Sequence, residues 1–118
     1  MKHCVIAVRV NRKYRSIICH YDECSDVARV LRKKYRSIRE ITHLLELGDL
    51  NHLDENSISA FHRDWGYLWN ETTPVIHADL KLLISYSDAI GADRLHVFED
   101  NAWEHLVIKY TDDELLTA

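Results

Sequence analysis

The sequence predicts an α+β fold, a small antiparallel sheet of about four strands packed against two or three helices. Three observations carry this expectation. Runs rich in β-branched residues occur as two close pairs, one near each end of the chain. Between them lie stretches whose apolar residues recur at helical spacing. With only 3 glycines, 1 proline and no repeat or linker, the 118 residues are expected to form a single domain, 1–118.

Residues 4–10, CVIAVRV, and 16–22, SIICHYD, read as strands joined by the basic turn NRKYR. From Ser25, a candidate cap, Val27, Val30, Leu31 and Tyr35 recur at helical spacing, and Arg29, Arg32, Lys33 and Arg36 form a basic outer face. Ser37 and Glu40 resemble a capping box for a second helix over 38–47, whose stripe Ile38, Ile41, Leu44, Leu45 ends at Gly48. Residues 49–59 read as an irregular connection, and 60–70, AFHRDWGYLWN, as extended with a turn at Gly66. Pro74 near a first turn, the stripe Ile76, Leu80, Leu83, Ile84, Ser87 and Gly91 at the end predict a helix over 75–90. Strands at 94–100 and 102–110 then meet in a tight hairpin at Asp100-Asn101, followed by an acidic tail, 111–118, expected to fray.

The net charge is −4, but it is unevenly spread along the chain. Residues 1–39 hold 11 Lys/Arg against three acids, and residues 40–118 hold 4 Lys/Arg against 16 acids. Such polarity suits a basic helix that tracks phosphates, or an acidic part that binds a basic protein surface, if folding keeps the two signs apart. Cys4, Cys19 and Cys24 are odd in number and lack CxxC spacing, which argues against a disulfide framework or a zinc knuckle. The opening MKHCVIAVRV lacks the features of a secretory signal, and no apolar run reaches membrane-spanning length. A cytosolic protein without a membrane segment is expected.

Four His-x-Asp pairs occur, His20/Asp22, His52/Asp54, His62/Asp64 and His77/Asp79, where chance would give about one. On a strand, positions two apart share a face, so His20/Asp22 and His62/Asp64 could present imidazole beside carboxylate and together hold a divalent metal. The pair at 77/79 falls in a predicted helix and the pair at 52/54 in a polar connection, so neither supports that geometry. His20, Asp22 and His62 are therefore candidates for a polar cluster, and His20, Asp22, Arg63 and Asp64 are expected to converge. No metal or other cofactor is expected, because no established catalytic or metal-binding motif is present. Arg63 beside Asp64 is either an ion pair that fixes the chain or a planar fork that reads a carboxylate or phosphate. Trp65, Tyr67 and Trp69 suit a core, whereas any ring left exposed would be an anchor for a partner.

The run KYRSIICHYD before a helix, then LLELGDLNHL, SAFHRDWG and HVFEDNAWEHLVI, resembles a family of small phage and prophage proteins. That family carries a Y-x-x-I-Y-C-H-W-D-G-Y strand, a G-D-(I/L)-x-x-L stretch, an A-Y-x-R-D-R-G-E segment and a closing L-F-D-D-G-x-W-Y-V hairpin. The match keeps its order over nearly the whole chain. It implies a viral or mobile-element origin and brings no established activity with it. By position, His20, Asp22, Gly48, Asp49, Arg63, Asp64, Gly66, Glu99, Asp100 and Trp103 correspond to the family's motif residues. Two departures stand out: HYDECSDV replaces the glycine- and proline-bearing turn, and HRDWGY replaces RDRGE with the loss of an arginine and a glutamate.

These readings lead to an expected non-enzymatic binding protein of phage or prophage origin that attaches to and inhibits a host protein of a defence or nucleic-acid-handling system, in the manner of an anti-CRISPR. Its expected anchors are Arg63, Asp64, Trp65, Trp69, Asp93, Glu99, Asp100 and Glu104. The alternatives are a small metal-dependent phosphodiesterase or nucleotide-acting enzyme, and nucleic-acid binding through the basic helix face.

Overall fold

The computed structural model describes residues 2–21 and 26–109, which form an α+β fold on one mixed sheet of seven strands. In chain order the elements are β1 (Lys2–Val10), β2 (Lys13–Tyr21), α1 (Val27–Lys34), α2 (Ile38–Leu45), β3 (Leu50–Leu53), β4 (Ile58–Ala60), α3 (Phe61–Trp65), α4 (Trp69–Thr72), β5 (Val75–His77), α5 (Leu80–Ala89), β6 (Arg94–Glu99) and β7 (Ala102–Val107). The strands lie in the order β4-β3-β2-β1-β6-β7, and β5 also pairs with β2.

At the centre, Cys4 to Val8 of β1 are at most 1% exposed, as a continuous apolar run should be when both sheet faces are covered. Strand alternation sends Cys4, Ile6 and Val8 to the face covered by α1 and α2, where they join Ile17, Leu31, Ile41 and Leu45. Val5 and Ala7 point the other way, to Leu83 of α5 and to Leu95 and Val97 of β6. Cys4 and Cys19 are buried free thiols, opposite each other in the β1–β2 register; Cys24 lies outside the described residues. The β1–β2 and β6–β7 hairpins each turn on two left-handed residues, Asn11 and Arg12 (φ 53° and 67°) and Asp100 and Asn101 (φ 54° and 62°). That backbone matches the twist of the flanking strands.

Several sequence expectations are corrected. The sheet is not wholly antiparallel: β1 runs parallel to β6, and β2 runs parallel to β3. The connection through α1 and α2 is long enough to bring β3 back in the direction of β2, and β6 enters beside the start of β1, where Asp93 N–H donates to the His3 carbonyl. The 49–59 connection is the hairpin β3–β4, turned by Asp54, whose Oδ1 accepts from the N–H groups of Asn56 and Ser57. The 60–70 stretch is helical rather than extended. In it Asp64 reaches back to accept the Ala60 N–H at 2.8 Å, and Gly66, at φ 75°, ends α3 while Tyr67 N–H closes on the Phe61 carbonyl.

The helix placed at 75–90 splits as well. Pro74 is followed by β5, and α5 starts only after Asp79, whose carboxylate accepts the Leu82 N–H at 2.8 Å. Of its expected stripe, Leu83 and Ser87 are buried, whereas Ile76 and Ile84 are exposed. The α1 cap is Asp26; Ser25 and the tail 111–118 lie outside the described residues. The Ser37 cap holds: its Oγ accepts the Glu40 N–H at 3.3 Å, and Glu40 in turn accepts the Arg36 N–H at 3.2 Å. Of the α2 stripe, Ile38 alone is exposed.

The outer edge of β2 is shared by three partners. Strand β5 pairs with Tyr14 to Ser16, β3 pairs at Cys19, and between them the Asp49 carboxylate accepts the Ile18 N–H at 2.8 Å. Among the described residues no helix is long and apolar enough to cross a membrane.

Candidate functional site

Four exposed large apolar residues, three of them aromatic, lie together on α3, α4 and the turn between them. Trp65 is 60% exposed, Tyr67 49%, Leu68 63% and Trp69 39%. Of the two readings open for these rings, core and exposed anchor, the core one fails; α3 buries none of its residues. Local bonds nonetheless hold the segment in place. Trp65 Nε1 donates to Ser59 Oγ at 2.9 Å, His62 Nδ1 lies 2.7 Å from the Tyr67 carbonyl oxygen, and the His62 and Trp69 rings meet edge to face at 5.3 Å.

Gly48 and Asp49 clamp this arm to the sheet. Asp49 N–H donates to the Thr72 carbonyl at the end of α4, and its carbonyl accepts from Phe61 N–H at the start of α3, at 2.8 and 3.2 Å. Its side chain holds Ile18 on β2. One residue thus fixes both ends of the arm and the strand beneath it. Gly48 has φ +76°, and a Cβ there would lie 2.5 Å from the Thr72 carbonyl oxygen and 3.0 Å from Trp69 Cζ3. Only glycine fits that approach without a backbone shift. Burial pushes the Asp49 carboxyl up to about 6, against the opposing pull of the Ile18 hydrogen bond.

Arg63 and Asp64 form a two-pronged pair, with Nε to Oδ1 at 3.0 Å and Nη2 to Oδ2 at 2.9 Å, while Nη2 also donates to the Ile58 carbonyl. The guanidinium beside Asp64 holds that carboxyl below its ordinary range. Arg63 and Asp64 therefore brace α3 against β4, and the fork is occupied from within the chain.

His20 meets the 61–66 stretch through Phe61, the rings 5.2 Å apart edge to face, and Phe61 packs in turn on Tyr67 at 5.0 Å. Burial, and then the nearby His3, lower the His20 pKa. The two motifs adjoin through an aromatic contact, while Arg63 and Asp64 turn toward β4 and Asp22 lies outside the described residues. The four His-x-Asp pairs separate sharply. His52 and Asp54 form a real pair at 2.6 Å, and the imidazole holds the Asp54 carboxyl well below its usual range. His62 and Asp64 bond to different partners, and His77 makes a buried 2.8 Å hydrogen bond with Ser16. No group of three His, Cys, Asp or Glu able to hold a metal occurs among the described residues.

The charged candidates are dispersed. Arg29 and Lys33 both pair with Glu55, whereas Arg32 lies 3.2 Å from His105 Nε2 and Arg36 is exposed, so the basic face of α1 is neutralised only in part. Among the acids, Glu99 accepts from Tyr14 at 2.7 Å and from Arg9 at 3.0 Å. Asp100 sits in the hairpin turn, Glu104 is exposed on β7, and Asp93 precedes β6 at the far end of the strand from Glu99. Tyr21 is pushed up to about 12 by burial and then by Asp93.

Sequence reasoning did not find Leu68, which carries no signal beyond an apolar side chain between two rings. Nor did it find the cross-strand pair of buried His96 and half-buried His105, whose Nδ1 atoms lie 2.7 Å apart. Burial, and then His105, lower His96 to about 3, so it stays neutral at ordinary pH. A search for likeness finds no family model, curated protein or solved structure that matches this chain.

Proposed function

We propose that the chain is a non-enzymatic binding protein of phage or prophage origin that docks on a host protein through the arm 61–72 and inhibits it. The observation that carries this reading is the exposure of Trp65, Tyr67, Leu68 and Trp69 on a segment clamped at both ends. Large rings held in a fixed geometry lose little conformational freedom on binding and are the usual anchors of protein interfaces. The phage resemblance and the absence of an activated nucleophile in the sequence motifs support the same reading. A defence or nucleic-acid-handling component is the proposed target class.

Affinity capture from an extract of the bacterial host tests it, with the wild-type chain set against Trp65→Ala combined with Leu68→Ala. The expected outcome is one host protein retained in fixed proportion by the wild type, inhibited by it, and lost from the folded double variant. Equal capture and inhibition by both chains would exclude the arm as the interface.

A further inference from the structure

The cations that the fold leaves unneutralised include three on the β1–β2 hairpin. Among the described residues the ion pairs engage Arg9, Arg29, Lys33 and Arg63, whereas Arg12, Lys13 and Arg15 have no carboxylate partner. Strand alternation puts Val10, Lys13 and Arg15 on the same face as Val8 and Ile17, beyond the part that α1 and α2 cover. Ile76 of β5 stands opposite Arg15 on that face. Val10 is 38% exposed and Ile76 65%, and they line a groove of about 490 Å³ together with Lys13 and Arg15. An occupant that satisfies this surface brings carboxylates for the cations and aliphatic side chains for Val10 and Ile76.

The chain itself contains such a segment. Residues 111–118, outside the described residues, read TDDELLTA, with Asp112, Asp113 and Glu114 followed by Leu115 and Leu116. A second copy reaches this groove more readily than the chain reaches its own. Lys109 is bonded to Asp93 before β6, whereas Arg15 and Ile76 lie level with Val8 and Phe98 toward the opposite end of the sheet. Five strand residues along β6 and three strand spacings across to β5 make a diagonal of roughly 22 Å. Glu114 and Leu116 lie five and seven residues beyond Lys109, spans of at most about 17 and 24 Å of extended chain, so only a fully stretched segment would cover that diagonal within one molecule.

We propose that the groove takes residues 112–116 of a second copy of this chain, with the acids on Arg12, Lys13 and Arg15 and the leucines on Val10 and Ile76. This contact is separate from the arm and does not depend on it.

Sedimentation velocity of the full chain over a concentration series, at low and high salt, tests the proposal. A parallel titration follows the anisotropy of fluorescein-labelled TDDELLTA, with TKKKLLTA and a single-stranded oligonucleotide as the other probes. The expected result is concentration-dependent association that weakens by at least about tenfold at high salt. Lys13→Glu with Arg15→Glu abolishes it, as does Asp112→Lys with Asp113→Lys and Glu114→Lys, and the chain carrying all five changes regains it. The acidic peptide binds and the basic one does not. A wild-type chain that stays monomeric at low salt overturns the proposal, as does an association untouched by reversal of residues 112–114. Binding of the oligonucleotide without the acidic peptide also overturns it. Should the groove variant fail to fold, the reversal at 112–114 and the peptide titration still decide.

Discussion

Two five-residue stretches of this chain, Cys4 to Val8 and Trp65 to Trp69, are both largely apolar and meet opposite fates. The first is at most 1% exposed, and in the second the four large apolar residues are 39–63% exposed. What separates them is the surroundings rather than hydrophobicity. Cys4 to Val8 is a strand with a neighbour on each side and helices on both faces, so every side chain finds a packing partner. Trp65 to Trp69 spans the end of one short helix, a left-handed glycine and the start of another, so its side chains fan outward while the backbone is held by Asp49. The fold thus treats the first as core and the second as a presented surface.

That contrast can be broken experimentally, and the largest effect is expected in the core. Phe98→Ala should cost about 3–5 kcal/mol in urea unfolding, because Phe98 is 2% exposed within the helix-covered cluster. Gly48→Ala comes next, at about 1–3 kcal/mol, since the added Cβ meets the Thr72 carbonyl and the backbone is left-handed. The same variant should loosen the arm, visible as faster proteolysis within 61–72.

Asp49→Asn has a smaller effect with a pH signature. The folded carboxyl is raised from 3.8 to about 6, so its relative stabilisation is greatest below about pH 4 and is lost as pH rises to about 6. The asparagine variant keeps an acceptor for the Ile18 N–H but cannot titrate. Its stability relative to wild type should therefore rise between pH 4 and 6 and level off above, as measured by urea midpoints across that range. The smallest effect is expected on the arm: Trp65→Ala with Leu68→Ala should change unfolding free energy by only about 0.5 kcal/mol while removing partner capture.

The legible parts of the fold were those whose own residues determine them. The β1–β2 and β6–β7 hairpins, the α1 stripe, the Ser37 cap and the core of α5 could be read because β-branching, helical spacing and capping residues act locally. The three-residue strands β4 and β5 carry too little pattern to be read, and exist because β3 and β2 offer them an edge. The arm was misread as extended since α3 depends on Asp64 reaching back to Ala60, a bond between side chain and backbone that alternation does not reveal. For the candidate site, Trp65, Trp69, Arg63 and Asp64 were found, but the division of labour between them was not. The exposure of the rings and the filling of the Arg63 fork depend on where β4 lies. The apparent His-x-Asp device dissolved for a similar reason, because its one bonded pair among the described residues, His52 with Asp54, belongs to the edge hairpin set aside as a polar connection.

The partition of the β2 edge also bears on how the protein avoids misassembly. An uncovered run of backbone donors and acceptors beside short strands would invite an extended segment of another chain to add on, which is how strand exchange and templated aggregation begin. At Ile18 the gap between β5 and β3 is closed by a carboxylate. It takes the hydrogen bond but offers no backbone N–H from which a ladder could continue. Asp49 is thus a stopper as well as a clamp, and its loss would expose a nucleation point in a protein whose folded core remained intact.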